Sequence, residues 1–188
     1  MTDALRLRPL TLGDLPALQD LLKADRRYAL RVTGAPPEPG GAADLLSGRP
    51  PGLNPDQKVV LGAFDQGGLA AVIDVLRGWP DRATAHIGLL QVHPSRQRQG
   101  VGRRAHDLLL AELAGWSEVT TLRAAIVGTN AAEAEPFWTA LGYRPAEPPR
   151  PYRAGSTDTH VTAWTRPILT AGPGDSPHTT PQPPRRPR

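Results

Sequence analysis

Apolar and polar residues recur along this chain at two periods, and the change from one to the other organises it. Leu5-Arg6-Leu7-Arg8 alternates as a half-buried strand. Thr11 offers an N-cap with Asp14 three residues on, and Leu15, Leu18, Leu21 and Leu22 form a helical stripe to about Asp25. Lys58 to Asp65 reads as a strand, Gln66-Gly67-Gly68 as a tight turn, and Leu69 to Arg77 as its hairpin partner. Thr84 to Val92 is a third strand, interrupted by Gly88, a residue that marks bulges. From Gly100 the period becomes helical: Val101, Ala105, Leu108 and Leu109 share one face, and the helix stops near Gly115. Thr120 to Val127 is another strand. Ala134, Phe137, Trp138 and Leu141 then form an i, i+3, i+4, i+7 face ending at Gly142. Pro136 requires that helix to begin no earlier than about Ala132, so that the proline falls where N–H groups have no partner anyway. His160 to Ile168 closes the chain's pattern as a last strand. The predicted order is β-α-loop-β-β-β-α-β-α-β, an α+β fold with a mixed, mostly antiparallel sheet of six to seven strands flanked by helices.

Two segments break the pattern. Thr33 to Gln57 carries six prolines and five glycines around a helical turn at Ala42 to Leu46. A loop of that length inside a compact domain is often functional, and it is expected near an acceptor site. Thr170 to Arg188 holds six prolines and three arginines with no apolar side chain larger than Ala171, so it reads as a disordered tail behind a single domain over 1–169.

Composition narrows the chemistry. With 188 residues and no cysteine, disulfides, thiolate metal sites and cysteine nucleophiles are all excluded. No stretch reaches the 18 or more apolar residues of a membrane-spanning helix, and the first ten residues carry no signal-peptide run, so a cytoplasmic protein is expected. Of the 22 basic residues only Lys23 and Lys58 are lysines. Arginine favours forked contacts with phosphate or carboxylate, although a GC-rich coding bias accounts for the same count more simply. The cluster Arg185, Arg186, Arg188 leaves nucleic-acid attachment as the less favoured use of the tail.

The informative segment is His93-Pro94-Ser95-Arg96-Gln97-Arg98-Gln99-Gly100-Val101-Gly102, where a strand ends and two glycines open a helix. Such a junction presents free N–H groups and the positive end of a helix dipole to an anion, and phosphate is the natural guest. No Gly-Lys-Ser/Thr is present, which excludes a Walker loop. Gly100-Val101-Gly102-Arg103-Arg104-Ala105 satisfies G-x-G-x-x-A, but the next strand ends in Val127-Gly128-Thr129-Asn130 without the carboxylate that a dinucleotide's ribose requires.

These residues resemble the GNAT superfamily of acyl-CoA-dependent N-acetyltransferases. Its signature Q/R-x-x-G-x-G/A after Val-x-Pro is matched by Val92-His93-Pro94 and by Gln97 to Gly102, and its Phe-Tyr-x-x-x-Gly-Phe helix is similar to Phe137-Trp138-Thr139-Ala140-Leu141-Gly142-Tyr143. The resemblance runs from about Leu5 to Ile168. It implies transfer of acetyl from acetyl-CoA, as acyl donor, to a primary amine by direct attack in a ternary complex, with no metal. The partner implied is a small-molecule or peptide amine, with homodimerisation left open and no membrane involved. A rival of a different class is an acyl-CoA-binding module without turnover.

The site residues implied follow the motifs. Backbone amides of Gln97, Arg98, Gln99, Gly100, Val101 and Gly102 are expected to hold the pyrophosphate. Leu90, Gln91 and Val92 are expected to pair with the pantetheine arm like an extra strand. Gly88 to Leu90 is the neighbourhood of the bulge that aims an N–H at the thioester oxygen. Asn130 and Trp138 are further expected contacts of CoA. Tyr28, Arg31 and Trp79 are expected on the acceptor side.

An amine of pKa ~10.4 costs about 4.6 kcal/mol to deprotonate at pH 7, so a base is needed. The family's Glu position corresponds to His86, a candidate base, and Asp74 on the neighbouring strand either orients it or is the base itself. His93 is expected to pack or cap, and His106 to face solvent. At the position of the family's acid the chain has Trp138, whose indole N–H supplies no proton; CoA can still leave as thiolate, its thiol resembling that of Cys, ~8.5. Tyr143 lies beyond the helix stop and is not given the acid role.

Overall fold

The computed structural model describes residues 4–168, and the expected tail from Thr170 to Arg188 lies outside them. One twisted sheet runs through the molecule. Its strands are β1 (Arg6–Pro9), β2 (Lys58–Asp65), β3 (Gly68–Arg77), β4 (Thr84–Val92), β5 (Thr121–Val127), β6 (Arg144–Pro145), β7 (Arg150–Ala154) and β8 (Thr157–Pro167). The order across the sheet is β1-β2-β3-β4-β5-β8-β6, with β7 also on β8. Among the described residues only β4 and β5 pair in parallel; every other pair is antiparallel.

Five helices cover the sheet: α1 (Leu15–Ala24), α2 (Arg26–Thr33), α3 (Gly41–Ser47), α4 (Val101–Leu113) and α5 (Ala131–Ala140). The alternation of β3 decides which helix packs where. Ala71, Ile73 and Val75 face the larger core with Val101, Ala105, Leu109 and Leu113 of α4 and Trp138 of α5. Val72 faces the opposite side, against Leu18 and Leu21 of α1 and Ala42 of α3. Asp74 has the parity of Val72, so its carboxylate stands on the α1 side of the sheet.

The fold matches the expected α+β class, with eight strands where six to seven were expected. The additional pieces, β6 and β7, are two and five residues long and full of Arg and Pro, so no alternation marks them. The segment Thr33 to Gln57 contains α3 and a 3-10 turn at Pro55–Gln57.

Two expectations need correction. Pro136 lies at the sixth position of α5, inside the helix rather than among its first four residues. The lost bond to the turn before it is tolerated because the next two residues, Phe137 and Trp138, pack against the core. His106 is fully buried instead of facing solvent. It precedes Leu109 and Leu113 by three and seven residues, so it belongs to the edge of the apolar stripe, and its Nε2 lies 2.9 Å from the Tyr143 hydroxyl. Burial, with nearby Arg166, pushes the His106 pKa down to about 4, and burial raises that of Tyr143.

Candidate active site

The site begins with a failure of pairing. Parallel register joins β4 to β5 only from Thr84↔Thr121 to Ile87↔Ala124, and beyond that point the two strands part. Divergence coincides with a bulge: β3 and β4 pair as Asp74↔Leu89 and then Val75↔Ile87, so Gly88 has no opposite residue. An extra residue bends its strand and leaves its own backbone unpaired, which opens the V and exposes the edge of β4 within it. A Cβ at position 88 would lie 3.0 Å from Asp74 Oδ2, so a larger residue there would have to displace that carboxylate.

The V widens into a cavity of about 740 Å³. Its walls include Leu90, Gln91 and Val92 of β4, Ala125 and Ile126 of β5, Tyr28 and Arg31 of α2, and Phe137 and Trp138 of α5. It ends at Gln97, Arg98 and Gly100 to Arg103, where α4 starts. The expected binding residues are thus brought together, except for Gln99, Trp79, Asp74 and His86, which do not line the cavity.

The loop before α4 uses its side chains as scaffold. Gln97 Nε2 donates to Val92 O and to Asp25 Oδ2, each at 3.0 Å; Gln99 Nε2 donates to Ser95 O at 2.8 Å; and Arg96 is paired with Asp65 at 2.9 Å. His93 is a cap, its Nδ1 accepting from the Ser95 N–H. The backbone is left for a ligand. Gln97 N–H turns back to Pro94 O, so it does not join the expected set of free amides. From Arg98 to Arg103 no backbone N–H has a protein acceptor among the described residues, and the first intrahelical bond is Arg104 N–H to Gly100 O. Arg98 at φ 62° and Gly100 at φ 78° turn successive N–H groups towards one side, as anion-binding nests do. A Cβ on Gly100 would meet no atom within 4 Å, so the space beside it is open.

Trp138 is a fixed wall. Its ring stands edge-on to Phe137, Tyr143 and His106, with centroids 5.2, 4.8 and 6.4 Å away. Gln91, 4% exposed, lines the cavity with an Nε2 that has no partner. Arg31 Nε donates to Asn130 Oδ1 at 2.7 Å, and the Thr129 hydroxyl donates to Arg31 O, tying α2 to the end of β5. Burial pushes the Tyr28 phenol up to about 12, keeping it a neutral hydrogen-bonding group.

The two candidate bases differ in kind. Asp74 Oδ1 accepts from Lys58 Nζ at 2.7 Å, with side-chain exposures of 11% and 5%. Burial raises the Asp74 pKa against the opposing pull of Lys58. No hydrogen bond links Asp74 to His86 among the described residues; its second oxygen lies against Gly88. His86 Nδ1 lies 3.1 Å from Arg123 Nη1. A guanidinium only donates, so Nδ1 accepts and the neutral ring carries its proton on Nε2. Burial, with the charge of Arg123, pushes its pKa down to about 3. Trp79 packs against His86 at a tilt of 54°, with ring centroids 4.8 Å apart, and its centroid lies 5.5 Å from the Arg123 guanidinium carbon.

Lys58, Asp25 and Arg123 are the site residues that the pattern of the sequence did not reveal. Lys58 and Arg123 each carried a signal: one of only two lysines, and a lone charge inside an apolar strand. No cluster of three or more potential metal ligands occurs among the described residues, and no helix there is long and apolar enough to cross a membrane.

Residues 18–143 match the model of the acetyltransferase (GNAT) family. No curated protein sequence matches the chain. Solved structures do. An acetyltransferase from Thermus thermophilus is 23% identical, with 88% of this chain and 97% of that chain covered and a TM-score of 0.70. The ribosomal-protein-S18-alanine N-acetyltransferase from Escherichia coli is 23% identical over 90% and 97%, at 0.65. Spermidine N-acetyltransferase from Vibrio cholerae, in complex with CoA and spermine, is 14% identical over 88% and 96%, at 0.67.

Proposed function

Since the chain belongs to the GNAT acetyltransferase family, we propose that it passes acetyl from acetyl-CoA to a primary amine by direct attack within a ternary complex. The observation that carries this reading is the parting of β4 from β5 above Ile87, which opens a cavity ending at unpaired amides. The donor set fits the substrate: free N–H groups, open space beside Gly100 and an arginine on each side suit a diphosphate. Residues 1–169 are taken as one catalytic domain.

Each residue then has a task. Amides from Arg98 to Gly102 hold the pyrophosphate, with Arg98 and Arg103 beside them. The exposed edge of Leu90 to Val92 pairs with the pantetheine amides, and Gln91 Nε2 supplies one further donor. The unpaired backbone of Gly88 stabilises negative charge as it develops on the thioester oxygen, since a preorganised donor in a dry site costs no reorganisation. Asp74 takes the amine's proton, directly or through one water, because its free oxygen lies against Gly88 while Lys58 fixes the other. His86 has its acceptor nitrogen occupied and is not that base. Tyr143 is tied to buried His106, and Trp138 walls the channel, so the thiolate departs without a proton from either.

The test is release of free CoA thiol, followed with a chromogenic disulfide across an amine panel. Amine-dependent thiol is expected. Acetyl-CoA binding without it would identify a non-catalytic acyl-CoA-binding module instead.

A further inference from the structure

On the α1 side of the sheet, one step below the cavity, stands a cation with no anion. Arg123 is on β5 opposite His86 on β4, and Asp74, His86 and Arg123 share this face by register. Its Nη1 meets the His86 ring, its Nε is buried without a partner, and Trp79 lies over it. The charges around it are already matched. Lys58 is held by Asp74 at 2.7 Å, and Glu147, the carboxylate nearest in influence, is held by Arg150 at 2.6 Å. Arg31, on α2 above, is bonded only to the neutral Asn130 amide. Among the described residues neither the Arg123 nor the Arg31 guanidinium is paired with a carboxylate, whereas Asp25, which also lines the cavity, accepts from Gln97 Nε2 and the Tyr28 N–H.

Buried N–H donors in native proteins find acceptors, and an acceptor group of a ligand satisfies an orphan one as water does. The Arg123 contact also fixes the His86 tautomer, leaving Nε2–H as a further donor on the same face. Gly88 and Ala125, which border the cavity, lie two residues further along the same strands than His86 and Arg123, about 7 Å away.

We infer that Arg123, with His86 Nε2–H beside it and Trp79 as a wall, forms a subsite for the carboxylate of the acceptor, and that the substrate class is amino acids. This rests on the acetyl-transfer reading only for the placement of the amine at Asp74. At this subsite a polyamine is disfavoured, because its second ammonium group would meet the Arg123 guanidinium.

The experiment is calorimetric titration of the CoA-saturated protein with ω-amino acids from glycine to 6-aminohexanoate, each against its carboxamide, and with 1,4-diaminobutane. At least one amino acid should bind about tenfold or more tightly than its amide, the ratio expected of a charged hydrogen-bonded contact, and the diamine should bind most weakly. Arg123→Gln should abolish that ratio without changing CoA affinity, and Arg123→Lys should keep part of it. Equal affinities for every acid and its amide in the wild-type protein, or a ratio unchanged in Arg123→Gln, would overturn the subsite. Thiol release on the same compounds separates the two claims. Turnover indifferent to the carboxylate leaves acetyl transfer standing and removes the subsite, while selective binding without turnover does the reverse.

Discussion

Removing Lys58 and Asp74 singly and together separates catalysis from stability at the same pair. Both side chains are almost fully buried, and their charges are 2.7 Å apart. At an effective dielectric of about 20, charges about 4 Å apart attract by about 4 kcal/mol, while burying each ion costs several kcal/mol, so the pair adds little net stability. Losing one partner is different, since it strands the other ion in the interior, and about 3–5 kcal/mol of destabilisation is expected for Asp74→Ala. For a domain of this size that is a fall in Tm of about 6–20 °C. The double variant Lys58→Met/Asp74→Leu should recover wild-type stability to within about 1 kcal/mol or exceed it. Neither variant should recover turnover, because a missing general base lowers kcat by about 10²–10⁴. Denaturant unfolding and thiol release on the same preparations give both quantities. A double variant that is stable and still fully active would refute the catalytic assignment of Asp74.

Four further outcomes are expected. The acid limb of kcat/KM should lie above the ordinary carboxylate range, because burial raises the Asp74 pKa, and Asp74→Asn should remove that limb. His86→Ala should raise KM for the acceptor and leave the shape of the pH–rate profile unchanged; a lost limb would return the base to His86. Gly100→Val should weaken acetyl-CoA binding by tenfold or more in a direct titration, since its side chain would enter open space beside free amides from a residue at φ 78°; unaltered affinity would contradict the phosphate site. His106 is held near pKa 4 in the folded chain against ~6.5 when unfolded, so its contribution is present above pH ~6.5 and is lost as pH falls towards 4. The paired variant His106→Leu/Tyr143→Phe should flatten the fall in Tm over that window.

The outline of the fold was legible because two periods rarely mislead over long segments. The ends of β2 and β4 fall where alternation placed them, and α4 follows its glycines. Legibility failed where one residue type serves two environments. His106 looks like a surface residue of α4 until Tyr143, 37 positions away, supplies a partner. Position in the chain alone puts Arg31 and Trp79 on the acceptor side. Only the folded sheet shows that Arg31 reaches Asn130 while Trp79 covers Arg123 outside the cavity lining. Pairings across 16 to 99 residues, such as Lys58 with Asp74 or Arg31 with Asn130, leave no periodic trace.

A single inserted residue connects these parts. Without a bulge at Gly88, β4 would keep its register with β3 throughout, and residue 88 would stand opposite Val75 on the α4 side of the sheet, away from Asp74. The insertion bends β4 away from β5, frees the Gly88 backbone and leaves the carboxylate against it, so cavity, charge-stabilising donor and base arise from one local irregularity. It also sets parity. Asp74 and His86 stand on the same face only because the register shifts between them, and His86 thereby meets Arg123 rather than the core. Deleting Gly88 should therefore straighten β4 and close the cavity. It leaves the other pairings in place, since Leu89 stays opposite Asp74, Ile87 opposite Val75 and His86 opposite Leu76, so both arms of β4 keep their faces. The expected result is loss of acetyl-CoA binding with the fold retained, whereas Gly88→Ala, which only crowds Asp74, should keep the fold and CoA affinity and lose kcat. If Gly88→Ala weakened CoA binding as much as the deletion, the bulge would serve the cavity alone, and the link between it and the base would fail.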